Sequence, residues 1–290
     1  MDYRFALIDS GQQMRFHRRL DRAGAMYLSL FAGYPEESLL DMAPLLIDLN
    51  RDDELGKNLL TAAERLGKLK PCVNLLFASL PMDELAAHLR QFHLAELSNG
   101  REMIVRWYDG RILPAWLEIL GADQRALFTQ HVSAWTYFDR FGEPQQLPLP
   151  AAGATEPPPA PIRLDDNQLS ALMSACEADM MIADLREVNR DELRSVPYRT
   201  LYPFVQEHLL VARQHGLTAR PDRLQLLTLA LHTSGRYVDH PQVAQRLSMP
   251  AHAHEETFEN WIAGLGQDVF DTASPLWDTI DDNQEASHAP

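Results

Sequence analysis

Eleven histidines are the first residues of this 290-residue chain that could do chemistry, as metal ligands. His88 and His93 stand five positions apart, so on a helix they do not share a face as an i, i+4 pair would. His252 and His254, in AHAHEE, come without HExxH or Cys/His ligand spacing. These histidines read as surface or capping residues, and neither a metal nor another cofactor is expected. Ser79, His88 and Asp109 are the residue types of a hydrolase triad, but Ser79 lacks a G-x-S-x-G elbow and is placed to cap the following helix. No GxxxxGK[ST] loop occurs, and no GxGxxG follows a strand, so nucleotide binding has no support. The chain is expected not to be an enzyme.

The most distinctive stretch is residues 103–113, MIVRWYDGRIL. As a strand it would send Ile104, Arg106 and Tyr108 to one face and Met103, Val105 and Trp107 to the other. Asp109 and Gly110 then turn the chain, and Arg111 opens the next helix. An arginine among apolar strand residues needs a carboxylate. Asp9, Asp48 or Asp109 could supply it, at a net stability that need not be favourable. A buried ion pair that fixes sheet and turn is the first reading, a partner-binding role the second and catalysis the third.

The elements that must position this stretch are short apolar runs separated by amphipathic helices. Residues 5–9 (FALID), 44–49 (PLLIDL), 73–79 (VNLLFAS) and 102–108 (EMIVRWY) read as strands, with a fifth around 26–31. Between them, 12–23, 52–69 and 81–94 read as helices. The last has Pro81 in its first turn, Asp83 and Glu84 at its positive end, and Leu85, Leu89 and Phe92 on one face. Near-continuous apolar runs suit strands covered on both faces. The expectation for residues 1–144 is therefore an α/β domain with a mixed or mostly parallel sheet flanked by helices.

Residues 145–162 hold six prolines and form a Pro/Ala-rich linker. Beyond it the period is helical. Leu169, Leu172, Met173, Cys176 and Met180 share one face, and Leu201, Tyr202, Val205, Leu209 and Ala212 another; Gly216 should end that second helix in the left-handed conformation. A third helix follows through Leu224, Leu227 and Leu231, a short fourth over 241–247, and a fifth through Phe258, Ile262, Leu265 and Val269. Residues 163–274 thus read as an all-α helical bundle, and 275–290 as an acidic, disordered tail.

Composition narrows the function. With 46% hydrophobic and 23% charged residues the chain is that of a folded globular protein. Its start lacks the basic-then-apolar order of a secretory signal, and no apolar window reaches the roughly 18 residues of a membrane span. A cytoplasmic location without membrane insertion is expected, with Cys72 and Cys176 as buried free thiols. A net charge of −15 argues against a nucleic-acid partner.

Six segments in order carry a family resemblance: Phe5-Ala6-Leu7-Ile8-Asp9, then Ala43-Pro44-Leu45-Leu46-Ile47-Asp48-Leu49, then Phe77-Ala78-Ser79-Leu80. Next come Leu85-x-x-His88-Leu89-Arg90, the run from Val105-Arg106-Trp107-Tyr108-Asp109-Gly110-Arg111 to Leu113, and a closing Val132-Ser133-Ala134-Trp135. Over residues 3–137 the chain resembles the N-terminal domain of the type VI secretion effector chaperones, or adaptors. The family's usual proline after the aspartate is replaced by Gly110, which should stiffen that turn less. The helical half resembles the family more loosely.

The resemblance implies an adaptor that binds a cognate effector protein, keeps it soluble and delivers it to the VgrG or PAAR spike tip. Asp9, Asp48, His88, Arg90, Arg106, Tyr108, Asp109, Arg111 and Trp135 are its motif residues, structural or partner-binding. In that scheme the α/β domain is a shared platform, and the helical half, hinged by the linker, sets client specificity. Trp107, Tyr108, Trp116 and Trp135 are anchor candidates by type, though each fits a core better. The alternatives are a scaffold or regulatory protein of another complex, or a hydrolase of unfamiliar architecture.

Overall fold

In a computed structural model, which describes residues 2–150, 161–249, 253 and 255–280, the apolar runs become strands because both of their faces are covered. The strands are β1 (Tyr3–Asp9), β2 (Tyr27–Ser29), β3 (Pro44–Asp48), β4 (Val73–Ala78), β5 (Leu94–Leu97), β6 (Glu102–Ile104), β7 (Val132–Phe138), β8 (Pro144–Gln146) and β9 (Ile162–Leu164). Around them lie helices α1 (Phe16–Ala23), α2 (Glu54–Leu69), α3 (Met82–Arg90), α4 (Leu113–Ile119) and α5 (Ala122–Thr129). Along β1, Phe5 and Leu7 enter a core with Leu85 and Leu89 of α3, Trp116 of α4 and Phe128 of α5. Ala6 and Ile8 enter a second core with Phe16 and Leu20 of α1 and Ala63 of α2.

The six-stranded sheet runs β2-β3-β1-β4-β7-β8, and every neighbouring pair is antiparallel. This corrects the expectation of a mixed or mostly parallel sheet. Unbroken apolar runs report burial on two faces, and helices supply that burial whichever way the strands point. One crossover is present all the same: β3 and β4 both run antiparallel to β1, so α2 joins two strands of the same direction with β1 between them. A second, three-stranded sheet runs β6-β5-β9, with β5 antiparallel to β6 and parallel to β9.

Local chemistry sets the helix ends. The Asp53 side chain accepts from the Gly56 amide (3.0 Å) to start α2, and Gly24 ends α1 at a φ of 64°. Ser79 does not cap α3. Pro81 stands at that position with no side-chain cap, and the Ser79 hydroxyl faces the His131 carbonyl oxygen at 3.5 Å.

The chain divides into compact units Met1–Cys176 and Glu177–Pro290. The division falls inside α6 (Asp166–Val188), beyond the proline-rich segment. Residues 151–160 of that segment, like His252, His254 and residues 281–290 of the expected tail, lie outside the described residues. The tail's first residues are not disordered, since Leu276–Asp278 form a 3-10 turn with Leu276 buried. Its flanks do not separate two bodies: β8 pairs with β7 and β9 with β5, both inside the first unit. A hinge at this position therefore does not follow.

The second unit is built from helices: α7 (Tyr198–Gln214), α8 (Arg220–His232), α9 (Pro241–Ser248), α10 (Phe258–Ile262) and α11 (Gln267–Phe270). Ala212, Leu226, Leu229, Tyr237, Val243, Phe258 and Val269 form its core. Gly216 takes a φ of 70°, and the Leu217 amide reaches back to the Ala212 carbonyl oxygen (2.9 Å), as the left-handed helix end requires. The expected fifth helix is instead two, because Gly264 and Gly266 interrupt it. Among the described residues no helix is long and apolar enough to cross a membrane.

Candidate functional site

The 103–113 stretch does not continue as a strand. β6 stops at Ile104, the Val105 amide donates to the His93 carbonyl oxygen (2.9 Å), and the Asp109 amide closes a turn on the Arg106 carbonyl oxygen (3.0 Å). The alternating faces expected of a strand are lost: Val105, Trp107 and Tyr108 are all buried. The Trp107 indole N–H donates to the Phe92 carbonyl oxygen at 3.1 Å.

Arg106 finds its carboxylate in Asp9, the last residue of β1. Its Nη2 donates to Asp9 Oδ2 at 2.6 Å. The fully buried Asp9 also accepts from the Gly11 amide (3.0 Å) and from Gln12 Nε2 (3.0 Å). Burial works against the guanidinium charge, but the adjacent Asp9 outweighs it and leaves Arg106 more basic than an ordinary arginine. Asp48 serves elsewhere, accepting from the Asn50 amide (2.9 Å). Asp109 takes the fork of Arg111, with Oδ1 to Nε at 3.0 Å and Oδ2 to Nη2 at 2.6 Å. Burial first, then the Asp9 charge, raises the Tyr108 phenol above its ordinary pKa. The same two causes push the Cys72 thiol up to about 12, so it stays protonated at neutral pH.

Gly110 is tightly packed rather than loose. Its amide donates to the Pro71 carbonyl oxygen (2.8 Å), and a Cβ there would run into the carbonyl oxygen of Phe138. Its φ is not left-handed; close approach, not conformational freedom, calls for glycine.

Asn74 is the residue that sequence reading missed. It is fully buried in β4, donates from Nδ2 to the Tyr108 carbonyl oxygen (2.7 Å), and accepts at Oδ1 from the Trp135 indole N–H (3.0 Å). It thereby ties the 106–111 segment to two central strands. A single amide inside the apolar run VNLLFA was the available signal.

The remaining motif residues serve the frame. Arg90 reaches from α3 to the Ser29 carbonyl oxygen of β2 through Nη2 (2.9 Å) and Nε (3.2 Å). Of the histidines expected as surface or capping residues, His88 and His93 are buried. His88 Nε2 lies 3.3 Å from the Phe128 carbonyl oxygen, and burial pulls its pKa down to about 4 against that bond. His93 sits among the rings of Phe31 and Tyr34, both at 4.7 Å, and burial likewise lowers its pKa. Trp107, Tyr108, Trp116 and Trp135 are at most 2% exposed, which removes them as surface anchors.

Asp9, Asn74, Arg106, Tyr108, Asp109, Arg111 and Trp135 thus belong to one end of the sheet, while Asp48, His88 and Arg90 hold other parts of the frame. Ser79, His88 and Asp109 each bond a different partner, so the triad is not assembled. Residues 4–127 match the family model of a domain of unknown function, DUF4123. The matched stretch is under half of the chain, includes the 106–111 segment and ends before β7 and Trp135. No curated protein and no solved structure matches.

Proposed function

We propose that the chain is an adaptor that binds a cognate effector protein and carries it to the VgrG or PAAR tip of a type VI secretion spike. The supporting observation is the 106–111 segment. With the His88-Leu89-Arg90 helix it carries the strongest parts of the resemblance to the effector chaperones, and it lies within the matched domain. Its polar groups are paired within the segment or with the strands beside it: the half-exposed Arg106 with Asp9, the buried Asp109 with Arg111, and the Tyr108 carbonyl with Asn74. Such a network spends its hydrogen bonds on holding a surface in one shape, which suits recognition of another polypeptide.

Co-expression with a type VI effector from the same organism, followed by affinity capture and a solubility assay, tests the proposal. The effector should become soluble and co-purify. An effector that is equally soluble without this chain and never captured by it would overturn the adaptor role.

A further inference from the structure

The loops around the Asp9–Arg106 pair gather positive charge on an acidic protein. At the end of α2, the Lys70 ammonium donates to two neutral acceptors, the Gln12 carbonyl oxygen (2.7 Å) and Gln13 Oε1 (3.0 Å). Lys68 is exposed beside it, and Gly142 brings the turn between β7 and β8 against the Lys68 carbonyl. Arg15 is exposed and holds a left-handed φ of 62°, its amide tied to Asp41 at 2.9 Å. Among the described residues the side chains of Arg15, Lys68 and Lys70 form no ion pair. Arg106 adds a guanidinium that is 39% exposed. Two of the chain's three lysines therefore stand here, in a protein of net charge −15. The carboxylates Asp9 and Asp109 are fully buried and committed to Arg106 and Arg111. The accessible acids nearby are Asp41, beside Arg15 and His17, Glu64 one turn before Lys68 on α2, and Glu143 in the β7–β8 turn, and none of them pairs with Lys68 or Lys70.

Apolar side chains stand among these cations. Leu69, between the two lysines, is 80% exposed, Met14 67% and Met42 49%. Met42 and Arg106 flank the same glycine: a Cβ on Gly11 would lie 3.7 Å from Met42 Cε and 3.2 Å from Arg106 Nη2.

We propose that this end of the sheet docks a partner-protein segment bearing carboxylates and an apolar anchor, a deepening that rests on the adaptor role above. Charge selects the sign, since cations without carboxylate mates attract an acidic segment and steer its approach. Leu69, Met14 and Met42 select the class. Nucleic-acid phosphates would make no use of them, and the net charge repels a long polyanion, whereas a protein segment gains affinity from apolar contacts.

The test uses the full-length chain and a fluorescein-labelled synthetic peptide of alternating glutamate and leucine, read by fluorescence anisotropy. The wild type should bind. The Lys68→Glu/Lys70→Glu pair should weaken binding about tenfold with a small drop in melting temperature, since Lys70 gives up its bonds to Gln12 and Gln13. Leu69→Ser should weaken it about threefold at unchanged melting temperature because Leu69 is exposed. Lys57→Glu, at the other end of α2, should leave binding unchanged, and added salt should weaken it. No binding, or binding indifferent to Lys68 and Lys70, overturns the docking surface. So does tighter binding of a single-stranded DNA oligonucleotide, or self-association of the chain that the peptide disperses. Capture of effector and spike proteins from the same organism, run in parallel, separates the two proposals. Effector capture without peptide binding leaves the adaptor role standing and removes this surface; peptide binding without effector or spike capture does the reverse.

Discussion

Asp9 and Arg106 meet across 97 positions of sequence, on a strand end and a turn, with Asn74 and Trp135 completing the network from two other strands. In the second unit the buried carboxylate of Glu177, on α6, is instead met by Arg213 and Arg223, 36 and 46 positions on, each from the next helices in order. Both regions bury charge. The first is an intersection of segments whose meeting depends on the whole strand order; the second is a clasp between sequential helices. An intersection holds several loops in one arrangement, and removing one member releases more than one element. A clasp fastens a single packing and leaves its neighbours in place.

The sharpest way to break this contrast is Arg106→Met. It strands the fully buried Asp9, which keeps only the Gly11 amide and Gln12 as donors. A loss of about 4 kcal/mol is expected in urea melts. Adding Asp9→Asn should recover more than half of it, because the charge that was stranded is gone. A cost below about 1 kcal/mol would class the pair with exposed salt bridges and dissolve the contrast. Asn74→Ala comes next. It leaves the Trp135 indole N–H and the Tyr108 carbonyl without a partner and opens a small cavity, for a loss of about 3 kcal/mol.

His88 sharpens the same contrast through pH. An unfolded histidine takes up its proton near the ordinary 6.5, whereas folded His88 holds it off until about 4. Between those values the unfolded chain binds more protons, so stability rises with pH. On acidification through that window the first unit should lose about 2–3 kcal/mol on this account. His88→Gln keeps a donor for the Phe128 carbonyl and removes the titration, so the acid-induced drop should shrink in melts taken across the window. An unchanged drop would place the acid sensitivity elsewhere.

What was legible in the sequence divides along the same line. Helix ends written in local chemistry, such as Gly216 with Leu217, could be read from adjacent residues, and so could the apolar runs of β1, β3 and β4. Strand direction could not, since an apolar run records burial and not its partner's orientation. β7 escaped for a related reason. Val132–Phe138 carries aromatic and β-branched residues but is broken by Ser133 and Ala134, and its place in the sheet is set by pairing with β4, more than fifty residues earlier. For the motif itself, the need of Arg106 for a carboxylate was legible. The choice of Asp9 over Asp48 and Asp109 was not, because it follows from β1 ending beside the turn. Asn74 shows the limit most clearly: a lone amide in an apolar run signals a buried bond without naming its ends.

Glu177→Gln is the smallest change and the strictest check on the clasp. The carboxylate is buried, but the Arg213 side chain is 46% exposed and can turn to water when the charge is removed. Arg223, more enclosed, keeps the Leu217 carbonyl oxygen as an acceptor at 3.1 Å, and the Thr218 carbonyl oxygen as well. Glutamine retains one acceptor oxygen for either guanidinium. A loss of about 1–2 kcal/mol is therefore expected, well below that of Arg106→Met. Arg223→Ala should cost more than Arg213→Ala, since Arg223 also holds the turn between α7 and α8. If Glu177→Gln proved as damaging as Arg106→Met, burial alone would set the cost, and the number of segments that converge on a charge would not matter.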